Sequence, residues 1–217
     1  MQETGSTSYS RQSLSEMPGR LDWLHPEERK FLDTLRFEKR RNDWLLGRWT
    51  AKQALLSFFE SQGIGGVAPP TIAILKGAKG APEVWLEEGL PSCSLSISHR
   101  AGHAISVVAP GIVPIGCDLE LIEPRSEAFL SDYFLECELA FLAGVAHGEK
   151  DLYANLIWCI KESVMKATGE GMGLHPRGVE AKVLDQERVE GIVLSEGIDF
   201  QGFWSKEEVL VWVAISK

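Results

Sequence analysis

The sequence predicts an α+β fold made of two similar halves, and three observations carry that expectation. Helical periodicity precedes strand-like alternation twice along the 217 residues. The elements do not alternate strand–helix–strand, which argues against a doubly wound parallel sheet. No G-x-G-x-x-G and no P-loop sequence is present, so neither a Rossmann-type nor a P-loop site is expected. Two similar layers with a central cleft are the arrangement this order suggests, although no repeat of the sequence itself accompanies it.

Taken in order, "MQETGSTSYSRQSLSEMPGR" is polar and rich in Ser and Thr, and residues 1–20 are expected to be a loose tail rather than a signal peptide or anchor. Residues 21–112 and 113–217 are then the two halves of one domain. "HPEERKFLDTLRFEKRRNDWLLGRWTAKQALLSFFESQG" reads as two helices. The first starts at Pro26 with two acids behind it, and the second runs from Asn42 or Asp43 to Ser61 and stops at Gly63. "TIAILKGAKGAPEVWL" reads as two short strands around a glycine-rich turn. "SCSLSISHRAGHAISVVAP" reads as a hairpin turning at Arg100–Gly102. "GIVPIGCDLELIEP" is a further strand closed by Pro124, followed by a helical stretch and the long helix "LIWCIKESVMKATGEG". The remaining segment alternates like antiparallel strands.

Composition sets the class. Apolar residues make up 44% of the chain and charged residues 24%, which is normal for a globular domain with a sizeable core. No apolar run is long enough to span a bilayer, so no membrane partner is expected and the expected location is the cytoplasm. The four cysteines form no C-x-x-C pair and suit thiols in a reducing compartment. The formal net charge of −9 argues against binding to a nucleic-acid backbone. From His25 to Lys52, however, eight basic residues face five acids.

Several residues have the character and spacing for chemistry. On the strand "PIGCDLELI", Asp118 and Glu120 share one face about 7 Å apart. They read either as two solvated acids or as oxygen ligands of Mg²⁺. On the long helix, Leu156, Ile157, Ile160, Val164 and Ala167 form a core stripe, while Trp158, Lys161, Glu162, Met165 and Lys166 gather on the other side. Glu162 and Lys166 are also placed for a plain i,i+4 bridge. A solvated face seldom mixes an indole and a thioether with three charges, whereas a face lining a cleft would. His99 follows Ser98 at a strand end, where it is either structural or a phosphate donor. Arg41 and Arg48 lie two turns apart on one helix face and either grip an anion together or are solvated. Together these residues suggest metal-assisted chemistry on a phosphorylated substrate.

The order "WLLGRWTAKQAL", "SISH", "GCDLE", "WCIKESVMKATGEG" resembles the surfactin-type 4′-phosphopantetheinyl transferases, with the G-x-D-x-E and W-x-x-K-E-x-x-x-K patterns matched at every fixed position. The resemblance covers residues 25–180. It implies two α/β halves related by pseudo-two-fold symmetry, antiparallel sheets packed with helices, and a cofactor cleft between the halves. It implies transfer of phosphopantetheine from coenzyme A to a serine of an acyl or peptidyl carrier protein, with release of 3′,5′-ADP. Carried over by position, Asp118, Glu120 and Glu162 would hold Mg²⁺, with Mn²⁺ as the alternative. Lys161 and Lys166 would contact phosphates, Ser98 and His99 would meet the nucleotide end, and Glu162 with Lys166 would carry the proton chemistry. Some members place lysines just after the "P-E" of the first helix; here that stretch is "PEERKF", which passes the 3′-phosphate to Arg41 and Arg48. A monomer is the expectation. A metal-dependent nuclease and a non-catalytic binding module are the other readings of the same residues.

Overall fold

The structure is a computed structural model that describes residues 7–77, 80–86, 90–169 and 173–217. The chain divides into two compact units, Met1–Val113 and Pro114–Lys217. Among the described residues no helix is long and apolar enough to cross a membrane, and none of the four cysteines forms a disulfide.

The first unit begins with β1 (Ser8–Ser13), then α1 (Pro26–Thr34), α2 (Glu38–Ser61), a 3₁₀ turn at Pro69–Thr71, and four strands: β2 (Ala73–Lys76), β3 (Pro82–Trp85), β4 (Cys93–Arg100) and β5 (His103–Pro110). Residues 8–13 were expected within a loose tail, and instead β1 adds antiparallel to the open edge of β5 to give the order β1-β5-β4. Backbone hydrogen bonding drives that pairing, and a polar edge strand gives no hydrophobic signal in the sequence. Residues 1–6 of the expected tail lie outside the described residues. The β4–β5 hairpin turns where expected, with Ala101 and Gly102 at positive φ, the conformation a two-residue hairpin loop needs. Helix α2 starts four residues earlier than Asn42, directly after Phe37. Its Ala51, Ala54, Leu55, Phe58 and Phe59 form a core with Ile72, Ile74, Leu95 and Val108.

The second unit runs β6 (Ile115–Leu121), α3 (Glu127–Tyr133), α4 (Glu136–Gly144), α5 (Lys150–Ala167), a 3₁₀ turn at Pro176–Gly178, then β7 (Val179–Val183), β8 (Arg188–Val193), β9 (Ile198–Glu207) and β10 (Leu210–Ser216). The five strands form one antiparallel sheet in the order β6-β10-β9-β8-β7. Helix α5 lies along this sheet, and its Leu156, Ile157, Ile160 and Val164 are buried against Val179, Val189, Val211, Val213 and Ile215.

Two glycines set how closely α5 approaches the strands. A Cβ on Gly116 would stand 1.8 Å from the Ser163 carbonyl oxygen, and one on Gly191 would stand 2.4 Å from Val164 Cγ2. The glycine that opens the G-x-D-x-E motif is therefore there to let helix backbone touch strand backbone.

Candidate functional site

In the second unit the acidic residues meet the helix. Asp118 pairs across the sheet with Val213 and Glu120 with Val211, both in the core that α5 covers, so the two carboxylates are on the α5 side of the sheet. Lys166 Nζ lies 2.7 Å from Asp118 Oδ1 and donates to the Cys117 carbonyl at 3.0 Å. Burial opposes the Lys166 charge, but Asp118 and its neighbours outweigh it and hold the ammonium above the ordinary lysine value. Glu162, one turn before Lys166, is pushed up to about 7 by burial first and then by Asp118, with Lys166 opposing and Glu120 adding. Three carboxylates therefore feel one another here. Glu120 is tied to Arg125, whose Nη2 lies 3.1 Å from Oε2.

The chemistry of this donor set, oxygens only and with a net negative excess, fits a hard divalent cation. The arrangement does not yet converge: among the described residues no three His, Cys, Asp or Glu side chains are grouped as a formed metal cage. Lys166 is paired with Asp118 and Arg125 with Glu120.

Lys161, expected to meet phosphate, does not share this face. Its ammonium is fully enclosed, 2.9 Å from Glu138 Oε1, and donates to the Pro176 and Val179 carbonyls at 3.0 and 2.6 Å. Those three acceptors use all three of its donors. Burial pulls its pKa down while Glu138 works against that shift. Met165 is also buried, and Trp158 packs on Phe129 and Tyr133. The 3.6-residue wheel assigned these residues to the second face because it does not register α3, α4 and the Pro176–Gly178 turn, which cover that flank. Residues 170–171 of the motif lie outside the described residues.

In the first unit a cavity of about 780 Å³ is lined by Arg48 and His99 together with Phe31, Phe37, Lys39, Arg40, Trp44 and Lys76. Arg48 donates to the Ile74 carbonyl at 3.0 Å, and its guanidinium carbon sits 4.9 Å from the Trp44 ring centre, a cation–π distance. The Phe31 ring lies 5.4 Å from that of Trp44, tilted by 34°. Ile97 and His99 line the cavity while Ser98 between them is buried on the opposite side of β4, as strand alternation requires. Arg41 is likewise directed elsewhere: it donates to the Leu32 and Leu35 carbonyls at 2.8 and 3.2 Å and closes the C-terminus of α1. Seven-residue spacing put Arg41 beside Arg48, but the partly negative carbonyls at the end of α1 are its acceptors instead. Trp44 and Lys76 were not singled out in the sequence, Phe31 stood there only in the departing "PEERKF" stretch, and Lys39 and Arg40 only within the excess of basic residues between His25 and Lys52.

Residues 114–212, which contain the carboxylates, Lys161 and Lys166, match the family model of the 4′-phosphopantetheinyl transferase superfamily. The chain is similar to the 4′-phosphopantetheinyl transferase ffp of Bacillus subtilis, with 30% identity over 100 residues. That match covers 46% of this chain and 44% of the relative, so less than half of the curated protein's length is spanned. Among solved structures, it is similar to a holo-(acyl-carrier-protein) synthase from Bacillus anthracis str. Ames in complex with CoA (3′,5′-ADP), at 24% identity and a TM-score of 0.41 over 49% of this chain and 96% of that one. A holo-[acyl-carrier-protein] synthase from Thermotoga maritima matches at 20% identity and a TM-score of 0.41, over 59% of this chain and 74% of that one.

Proposed function

We propose, from the premise that residues 114–212 belong to the 4′-phosphopantetheinyl transferase superfamily, that this protein moves 4′-phosphopantetheine from coenzyme A to a serine of an apo acyl or peptidyl carrier protein in the cytoplasm. The observation that carries the reading is the meeting of strand and helix in which Lys166 Nζ lies 2.7 Å from Asp118 Oδ1 and Glu162 stands one helical turn away, raised to about 7 by burial and Asp118. A group with that pKa accepts a proton at neutral pH and gives it up again readily.

The roles follow from position. The carrier serine oxygen attacks the pantetheine-side phosphorus, forming one P–O bond, and its proton passes to Glu162. The P–O bond of the diphosphate breaks, and 3′,5′-ADP leaves with the electron pair, its new charge met by Lys166. Asp118, Glu120 and Glu162 would hold Mg²⁺ or Mn²⁺, which supplies charge neutralisation at the phosphoryl oxygens when bound. Lys161 has no part in this scheme, because its donors are used internally. The cavity of the first unit suits the nucleotide end: Arg48, Arg40 and Lys76 supply positive charge, Lys39 is paired with Asp43 at 2.7 Å, His99 supplies a ring nitrogen, and Phe31 and Trp44 supply an aromatic surface for a base.

The test is to incubate the protein with Mg²⁺, coenzyme A and a panel of apo carrier proteins and to weigh the carriers by mass spectrometry. A gain of one phosphopantetheine that disappears with EDTA and with Asp118→Ala is the expected result. Coenzyme A binding with no gain on any carrier would favour a binding module, and cleavage of DNA or RNA with Mg²⁺ would favour a nuclease.

A further inference from the structure

Arg125 stands just beyond β6 and is held from three sides. Its Nε donates to Asn155 Oδ1 at 2.7 Å. Asn155 is fully buried in α5, and its amide nitrogen donates to the carbonyls of Glu123 and Asp151, each at 2.7 Å. With both amide hydrogens committed to carbonyls, the side-chain oxygen can face only the arginine. The guanidinium carbon also lies 4.8 Å from the centre of the Phe129 ring, and that ring packs edge-on against Trp158 of α5. The end of this chain of contacts is Glu120, whose Oε2 receives Nη2 at 3.1 Å.

We propose that Arg125 is the positioning residue of Glu120, a clamp anchored on Asn155 that fixes the single orientation in which the carboxylate meets a divalent cation. This rests on reading Asp118, Glu120 and Glu162 as the metal-holding set. A half-buried carboxylate near a strand end, without a partner to hold it, samples several rotamers, and a ligand that must first be ordered binds more weakly. Partners that hydrogen-bond a metal-ligating carboxylate remove that penalty. Arginine suits the task because its planar fork reaches Glu120 and Asn155 at once, which a lysine ammonium on a flexible stem does not.

The experiment is calorimetric titration of Mn²⁺, without coenzyme A, into the full-length wild type, Arg125→Lys, Glu120→Gln and the double variant. Arg125→Lys keeps the charge and loses the fork, and is expected to weaken Mn²⁺ binding about ten-fold. In the Glu120→Gln background it is expected to change nothing further. Unaltered affinity in Arg125→Lys, or an equal loss in both backgrounds, overturns the proposal. So does tighter binding in Arg125→Lys, which would make the arginine a competitor of the metal. If the wild type takes up no Mn²⁺, the metal reading fails separately, and the thermal midpoints of the same four proteins decide the clamp. Losses that fail to add support it, and additive losses overturn it.

Discussion

Lys161 Nζ lies 2.9 Å from Glu138 Oε1 in the second unit, and Lys52 Nζ lies 2.7 Å from Glu28 Oε2 in the first, with all four side chains enclosed. The surroundings repeat as well. Glu138 accepts the backbone N–H of Leu135 and of Ala181; Glu28 accepts those of His25 and Ile74. Lys52 donates to the carbonyls of Trp23, Pro69 and Ile72, as Lys161 does to those of Pro176 and Val179. In each unit one ion pair ties a short helix, a long helix, a 3₁₀ turn and the following strand.

Removing one partner of such a pair leaves a buried charge without compensation. Lys161→Met is expected to destabilise the protein by about 3–5 kcal/mol in urea unfolding, while the folded fraction still binds coenzyme A with wild-type affinity. Normal stability combined with lost affinity would return Lys161 to the phosphate.

Gly116→Ala tests the contact between α5 and β6. The new methyl meets the Ser163 carbonyl oxygen, which is backbone and has little freedom to retreat. A loss of about 3 kcal/mol, at the upper end of the overpacking range, is expected in the same measurement. Unchanged stability would mean that helix and strand are farther apart.

The two arginines of α2 are expected to separate. Arg48→Ala should weaken coenzyme A binding about ten-fold, the value of one charge-assisted contact, and cost about 1 kcal/mol of stability through the lost bond to the Ile74 carbonyl. Arg41→Ala should leave affinity alone and cost about 1 kcal/mol of stability through the uncapped end of α1. Calorimetry and thermal unfolding of both variants check the split, and the reverse pattern would exchange their roles.

Folding raises Glu162 from 4.5 to about 7. Between these values the folded chain keeps a proton that the unfolded chain has released, so for this group stability is fullest below about pH 4.5 and falls as pH rises towards 7. The metal-free protein is expected to melt at lower temperature at about pH 8 than at about pH 5, and Glu162→Gln is expected to flatten that slope. A slope that survives the substitution would place the titrating group elsewhere.

What the sequence disclosed follows from which forces act locally. The β4–β5 hairpin, β6 and the closing strands were legible because alternation and turn residues act over a few positions. Asp118 with Glu120 on one strand face, and Glu162 with Lys166 on one helical turn, were legible by spacing; the contact between Asp118 and Lys166 spans 48 positions and is tertiary. The enclosure of Lys161 was not legible because its partner Glu138 comes from another helix. The repeat that would have pointed to it is visible as W-x-x-K at Trp49–Lys52 and again at Trp158–Lys161. It was missed because two fixed letters in four carry little signal without Glu28 and Glu138 beside them in space. Arg125 and Asn155 were silent for the same reason: their meaning lies in a contact between a loop and a helix. β1 was illegible because an edge strand held by backbone bonds needs no apolar pattern.

The position of β6 in its sheet has a consequence for the order of events during synthesis. β6 is an edge strand whose sheet neighbour is β10, and the register pairs Asp118 with Val213 and Glu120 with Val211. The strand that bears both acids therefore emerges from the ribosome well before the strand that completes its ladder, and the long loop between them must close first. The first unit finds its partners within its own stretch and can mature while the second is still being translated. Assembly of the acidic site is consequently a late event, coupled to the arrival of residues 210–216 rather than to the appearance of its own side chains.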